Sequence, residues 1–160
     1  MAATPLATTD RFYAKKVTKI VFAATVANKN SPTRSEINAG KELSGQCSEV
    51  NGFNTTSNLI DTPDYGSDFT GKIPGDVQAA DSSLKFYQDR ATADIRTLLP
   101  RGTTGYILIM WGGDVPTQLM DVFPVTVSSV SKTIPDNAAA DMTVSFAITS
   151  EPAEDVTIPA

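Results

Sequence analysis

Side chains able to do chemistry are scarce in this 160-residue chain. It has no histidine, which removes His-based triads, the usual general acid/base near neutral pH and the commonest metal ligand. Its single cysteine, Cys47, can form no internal disulfide and cannot complete a zinc site with the usual ligand set. No basic cluster beyond Lys41 lies near it in sequence, so a buried inert thiol fits better than a nucleophile. Gly40 and Gly45 have the spacing of a phosphate loop, but Gln46-Cys47 stands where Lys-Ser/Thr is needed. Asp61, Asp64 and Asp68 lie close together without the alternation of a calcium loop, and aspartate is favoured in turns for its own backbone hydrogen bonds. Nothing selects a pair of carboxylates for glycoside chemistry. Trp111, Tyr106 and Phe123 read as core rather than ligand-stacking residues. The expectation is a protein that is not an enzyme and carries no metal or cofactor.

Charge is more informative than chemistry. The net charge of -5 argues against tight nucleic-acid binding, which depends on Lys and Arg neutralising phosphates. Through Lys41 the chain carries Arg11, Lys15, Lys16, Lys19, Lys29, Arg34 and Lys41 against only Asp10 and Glu36. The remainder is strongly acidic, and residues 135–160 contain Asp136, Asp141, Glu151, Glu154 and Asp155 with no basic residue. A basic head (Arg11, Lys15, Lys16) and an acidic tail (Glu151, Glu154, Asp155) could meet between neighbouring copies; uneven surface charge is the plainer reading. Lys15, Lys16 and Lys19 could also contact phosphates, but a solvated or partner-paired face fits them better.

The elements that must position these residues read as α+β and mainly β: a sandwich or partly open barrel with one flanking helix. A chain of this length buries roughly 68–70% of its unfolded surface, enough for one core and one domain, 1–160. Residues 1–16 lack a clear period and read as an arm. The segment 17–26 is β-branched and apolar enough for a strand. Thr33 and Glu36 have capping-box spacing, opening a short helix that ends at Gly40.

Residues 44–80 form a polar hairpin or long loop with candidate strands at 46–53, 55–61 and 68–73, the last ending before Pro74-Gly75. A strong turn runs from Asp61 to Gly66, and a partner-binding role suits the whole stretch. After a strand at 82–87, Asp89 can cap a helix whose Ala91, Ile95, Leu98 and Leu99 recur until Pro100. The run 106–111 is apolar on both faces and should be buried on both. Phe123, Val125 and Val127 share a face opposite Thr126 and Ser128, and Met142, Val144, Phe146 and Ile148 alternate with Thr143, Ser145, Ala147 and Thr149. Residues 150–160, with Pro152 and Pro159, read as a second arm. No basic-then-apolar leader is apparent and the longest apolar run is too short to span a bilayer, so no membrane partner and a cytoplasmic site of synthesis are expected.

Several segments carry a resemblance in their order and pattern. They are Pro32-Thr-Arg-Ser-Glu-Ile-Asn-Ala-Gly40, Asn58-Leu-Ile-Asp-Thr-Pro-Asp-Tyr-Gly-Ser-Asp68 and Ser83-Leu-Lys-Phe-Tyr-Gln-Asp89. The run Tyr106 to Gly113, then Phe123-Pro-Val-Thr-Val-Ser-Ser129 and Phe146-Ala-Ile-Thr-Ser-Glu-Pro152, complete the set. Together they resemble the major tail (tail tube) protein family of long-tailed bacteriophages, especially those of actinobacterial hosts. The resemblance implies hexameric rings stacked into a hollow tube, with strands of each subunit joining a barrel around the lumen and arms and a long loop reaching adjacent rings. It also implies a virion protein assembled in the host cytoplasm, around a tape-measure protein and against tail-end proteins, through which DNA passes without specific binding. Under it, Asp61, Asp64, Tyr65 and Asp68 belong to the inter-ring loop, and Thr126, Ser128, Thr143, Ser145, Glu49 and Asp68 face the lumen. The polar strand face could equally be the outer surface. Alternatives are the tube protein of a contractile injection system, or a small β-sandwich binding or decoration module, which exposed aromatic residues in a pocket would favour.

Overall fold

The computed structural model describes residues 3–90 and 94–160. Residues 3–13 are exposed and without regular structure, and a single turn of helix, α1 (Ala14–Val17), follows. Strand β1 (Lys19–Ala23) leads to α2 (Arg34–Ala39), whose capping box forms as the sequence predicts: Thr33 Oγ1 accepts from Glu36 N and the Glu36 carboxylate accepts from Thr33 N. The short strand β2 (Lys41–Glu42) and β3 (Cys47–Asn51) come next. A hairpin, β4 (Thr55–Thr62) and β5 (Gly71–Ala79), precedes β6 (Ser82–Tyr87). Then come α3, described from Asp94 to Leu98, β7 (Thr104–Met110), β8 (Leu119–Thr133), β9 (Asp141–Ile148) and β10 (Ala153–Thr157). Ala91 and the expected opening turn of α3 lie outside the described residues.

All strands but the hairpin belong to one eight-stranded antiparallel sheet in the order β2-β1-β7-β8-β9-β6-β3, with β10 added alongside β8. The sheet curls without closing, so β6 and β9 bring their apolar face onto that of β1 and β7. Leu84, Phe86, Met142, Val144 and Phe146 meet Ile20, Phe22, Ile107, Ile109, Phe123, Val125 and Val127 there, with Ile95 and Leu99 beside them. The opposite faces of β1 and β7 are also buried: Val21, Ala23, Leu108 and Met110 pack with Ile37 of α2, Met120 and Val122 of β8, and Ala153, Val156 and Ile158 at the C-terminus. A strand covered on both sides must be apolar at every position, which explains the run Ile107–Met110. The fold is thus mainly β, a sandwich with small flanking helices.

Two expectations are corrected. The segment 150–160 is not a free arm, because β10 pairs with β8 and Ala153, Val156 and Ile158 are buried. Its apolar residues are spaced three and then two apart around a bulge at Asp155, whose φ is 55°, so the period-two signature of a strand is broken. The 44–80 stretch is not one polar unit either. Its first strand, β3, pairs with β6 in the main sheet, and only Thr55–Ala79 stands apart as a hairpin. Strand β5 starts at Gly71, not at Asp68, and runs on through Pro74-Gly75, because a bulge opposite Asn58 accommodates that dipeptide.

Candidate assembly surfaces

Three surfaces gather the residues singled out by the sequence. The first is the face of β8, β9, β6 and β3 turned away from the core. Cross-strand register aligns Ser129, Ser145, Ser83 and Asn51 in one row, and Ser131, Thr143, Lys85 and Glu49 in the next. Thr126, paired with Ala147, shares this face, and Ser128 sits exposed in a bulge of β8 with its hydroxyl donating to Ser145 O at 3.0 Å. The predicted residues Thr126, Ser128, Thr143, Ser145 and Glu49 are therefore brought together; Asp68 is not, since it lies in the connection between β4 and β5.

The charges of this face are Glu49, Lys85 and Asp141. Lys85 Nζ pairs with Asp141 Oδ2 at 2.8 Å, and that hydrogen bond raises the lysine pKa, with the charge of Asp141 acting in the same sense. Glu49 remains as excess negative charge. Among the described residues, β3 pairs only with β6, and β8 beyond Val127 pairs only with β9, so this four-stranded face has two open edges.

The second surface is the β4–β5 hairpin. Its two strands are laddered on either side of the bulge, yet its side chains lie on the outside of the protein: Leu59 is 64% exposed and Val77 61%, with Ile60 and Ile73 half exposed. The sequence reading of this region as polar missed these four aliphatic residues because no period-two pattern separates them from their polar neighbours. At the tip, Asp64 Oδ1 accepts from Gly66 N at 2.8 Å, an aspartate turn and not a cation site, while Asp61 pairs with Lys72. Tyr65 is fully exposed and Phe69 is 78% exposed, with Asp68 next to it.

The root of the hairpin is anchored. Phe53 is buried with φ 56°, and its ring packs edge-on against Phe123 with centroids 5.3 Å apart. Its N–H donates to the buried Ser82 Oγ at 2.9 Å, and that hydroxyl donates to Ala80 O at 3.1 Å. Gly52 has φ 73°, and a Cβ there would come within 2.2 Å of Asp81 O, so no other residue fits this corner. Thr55 Oγ1 donates to Glu154 Oε1 at 3.0 Å, tying the hairpin base to β10.

The third surface is the region of α1. Arg11, Lys15 and Lys16 are all exposed, and none of them is paired with Glu151, Glu154 or Asp155 among the described residues. Of the acidic set, the Glu154 carboxylate accepts from Thr55 Oγ1, whereas Glu151 and Asp155 are held through their backbones: Lys29 Nζ donates to the Glu151 carbonyl, and Asp155 N donates to Asp121 Oδ1 at 2.9 Å. Beside α1 a cleft of 440 Å³ is lined by Lys15, Ile20, Cys47, Glu49, Tyr87 and Trp111, among others. Trp111 is not core, contrary to the sequence reading. It follows the last residue of β7, is 45% exposed, and is held by a 2.6 Å hydrogen bond from Nε1 to Asp121 Oδ2. Tyr106 is half-buried against the second apolar cluster, and Phe123 is fully buried as expected. Burial pushes the Cys47 thiol pKa up, which keeps it protonated and unreactive.

Among the described residues no group of acidic or sulfur side chains is arranged to hold a metal ion, and no helix is long and apolar enough to cross a membrane. In fold the chain is similar to a chain of the six-fold symmetrised cryo-EM baseplate of the anti-feeding prophage, with a TM-score of 0.55 and 13% identity over 94% of this chain and 95% of that one. It is also matched to the Dit protein of phage SPP1, with a TM-score of 0.40 and 16% identity over 88% of this chain and 51% of that one. A comparison with curated protein sequences gives no match. A sequence model described as phage tail tube protein matches residues 6–160. Nearly the whole chain is thereby accounted for, and the protein belongs to the phage tail tube protein family, as a structural virion component and not an enzyme.

Proposed function

We propose that copies of this chain assemble into hexameric rings that stack into the tail tube, with the hydroxyl-rich face of β8, β9, β6 and β3 lining the lumen. The observation that carries this reading is the four-stranded face with an unpaired edge on either side. An open edge presents unpaired N–H and C=O groups, and joining β3 of one copy to the far half of β8 in the next would satisfy both edges around a closed ring. A lining rich in hydroxyl groups, with Glu49 as excess negative charge, would not grip DNA, which suits a conduit. In this reading the β4–β5 hairpin and the basic head reach the adjacent ring, a tape-measure protein occupies the lumen during assembly in the host cytoplasm, and tail-end proteins cap the tube.

Negative-stain electron microscopy of the purified protein at rising concentration tests this. Tubes of uniform width with a six-fold end view are expected. A protein that stays strictly monomeric would sink it, and would favour the second reading, a virion decoration module, which the half-exposed Trp111 would also suit.

A further inference from the structure

The hairpin leaves from one end of β3 and β6, and the α1 cleft opens at their other end and extends along β3 as far as Val50. Strand β3 runs from Cys47, in the wall of the cleft, to Asn51, where Gly52 and Phe53 turn the chain into the hairpin. Strand β6 runs back from Ser82, at the hairpin root, to Tyr87, again in the wall of the cleft. A head-to-tail stack brings one end of a subunit against the opposite end of the next, so a projection and a recess placed this way can repeat without limit.

Their chemistry is complementary. The loop joining β4 and β5 holds Asp64 and Asp68 with no basic residue between Thr62 and Gly71, and it presents two aromatic rings, Tyr65 and Phe69, that touch little of their own chain. Lys15 stands at the cleft and Lys16 beside it on α1, both exposed and without an ion-pair partner among the described residues. Inside the cleft, Trp111 and Tyr87 offer half-exposed rings. Glu49 is the one acidic group of the wall, so the pairing depends on the lysines at the α1 side.

From this we infer that the α1 cleft is the docking site for the tip of the β4–β5 hairpin of a second copy, Asp64 and Asp68 facing Lys15 and Lys16 while Tyr65 or Phe69 packs on Trp111. This rests on the ring-stacking reading above and gives it an acceptor. A charged contact of this kind sets direction and register more than raw strength, and a like-charge version of it is strongly unfavourable.

The test is a charge exchange, read as tube yield and length by negative-stain microscopy, with circular dichroism to check the fold of each variant. Lys15→Glu with Lys16→Glu should cut tube yield at least ~tenfold, since a like-charge contact costs several kcal/mol and ~1.4 kcal/mol is tenfold. Asp64→Lys with Asp68→Lys should do the same, and the four changes together should restore tubes. All four positions are exposed, and the change at Asp64 gives up only the local turn bond from Gly66 N, so the fold of the body should be unaffected. If the aspartate reversal stops tubes but the lysine reversal does not, or the combination gives no rescue, the hairpin keeps its role and this acceptor site is wrong. If the aspartate reversal leaves tubes unchanged, the hairpin reading itself falls, and a wild-type protein without tubes removes both.

Discussion

The sheet and the hairpin are built from the same ladder of backbone hydrogen bonds, but they dispose of their side chains in opposite ways. In the sheet, Leu84, Phe86, Ile107 and Phe123 are wholly out of water, and each such side chain stabilises the fold by about 1.5–3 kcal/mol. In the hairpin, Leu59, Ile60, Ile73 and Val77 remain in water on both faces of a two-stranded ribbon, which on its own is marginal at best. The difference teaches that the aliphatic residues of the hairpin contribute little to this chain's own stability. Their exposure fits the proposed role of the hairpin in contacts with another copy.

The largest effect should separate the two regions directly. Phe123→Ala should cost ~3–5 kcal/mol in urea unfolding, whereas Ile60→Ala should change the same midpoint by less than ~0.5 kcal/mol. Equal losses would break the contrast. Next in size is the joint between the regions: Gly52→Ala forces a Cβ at positive φ against Asp81 O and should cost more than ~1 kcal/mol, seen as a lowered thermal midpoint. A neutral outcome would mean that the root is softer than the buried Phe53 implies.

A smaller effect belongs to the body alone. Thr33→Ala removes a cap of α2 and should cost about 1 kcal/mol by chemical denaturation, while leaving any effect on the hairpin absent. The smallest concerns the bidentate pair of Arg34 with Asp114, at 2.5 Å, which joins α2 to the turn after β7. The hydrogen bond from Arg34 holds the Asp114 pKa below its ordinary 3.8, against a smaller opposing effect of burial. A depressed carboxylate pKa stabilises the fold at pH values above the ordinary one, and that contribution is lost as pH falls through the lower folded value. Arg34→Gln should therefore be less stable than wild type by up to about 1 kcal/mol at neutral pH, with the two converging in strong acid when unfolding is followed across pH.

The sequence was most legible where one rule acted alone. Thr33 and Glu36 form their box because spacing is sufficient for it, and the alternation Met142 to Phe146 had one face to bury. Strand β8 was read only to Ser128, because its continuation to Thr133 carries few apolar side chains on a face that meets solvent. Strand β10 hid behind its bulge and its two flanking prolines. Trp111 ended an apolar run and so passed for core, although the strand stops one residue before it. For the assembly surfaces, residue types were informative about the polar strand face, whose members do align. They were silent on the α1 cleft, because its walls come from four separate stretches of chain that only the sheet order brings together.

That order also dictates a timetable. Ile20 pairs with Ile109, so β1 has only the two-residue strand β2 as a partner until most of the chain has left the ribosome, while β7, β8 and β9 can zip as consecutive neighbours. Contacts so distant along the chain close slowly, and the hairpin Thr55–Ala79, whose backbone ladder is local, can form early. The α1 cleft needs β1, β3 and β6 in place, so it would be completed last. Under the docking proposed above, a newly made subunit carries its projection before it owns a recess, and joining the growing end of a filament waits for the slowest strand to arrive.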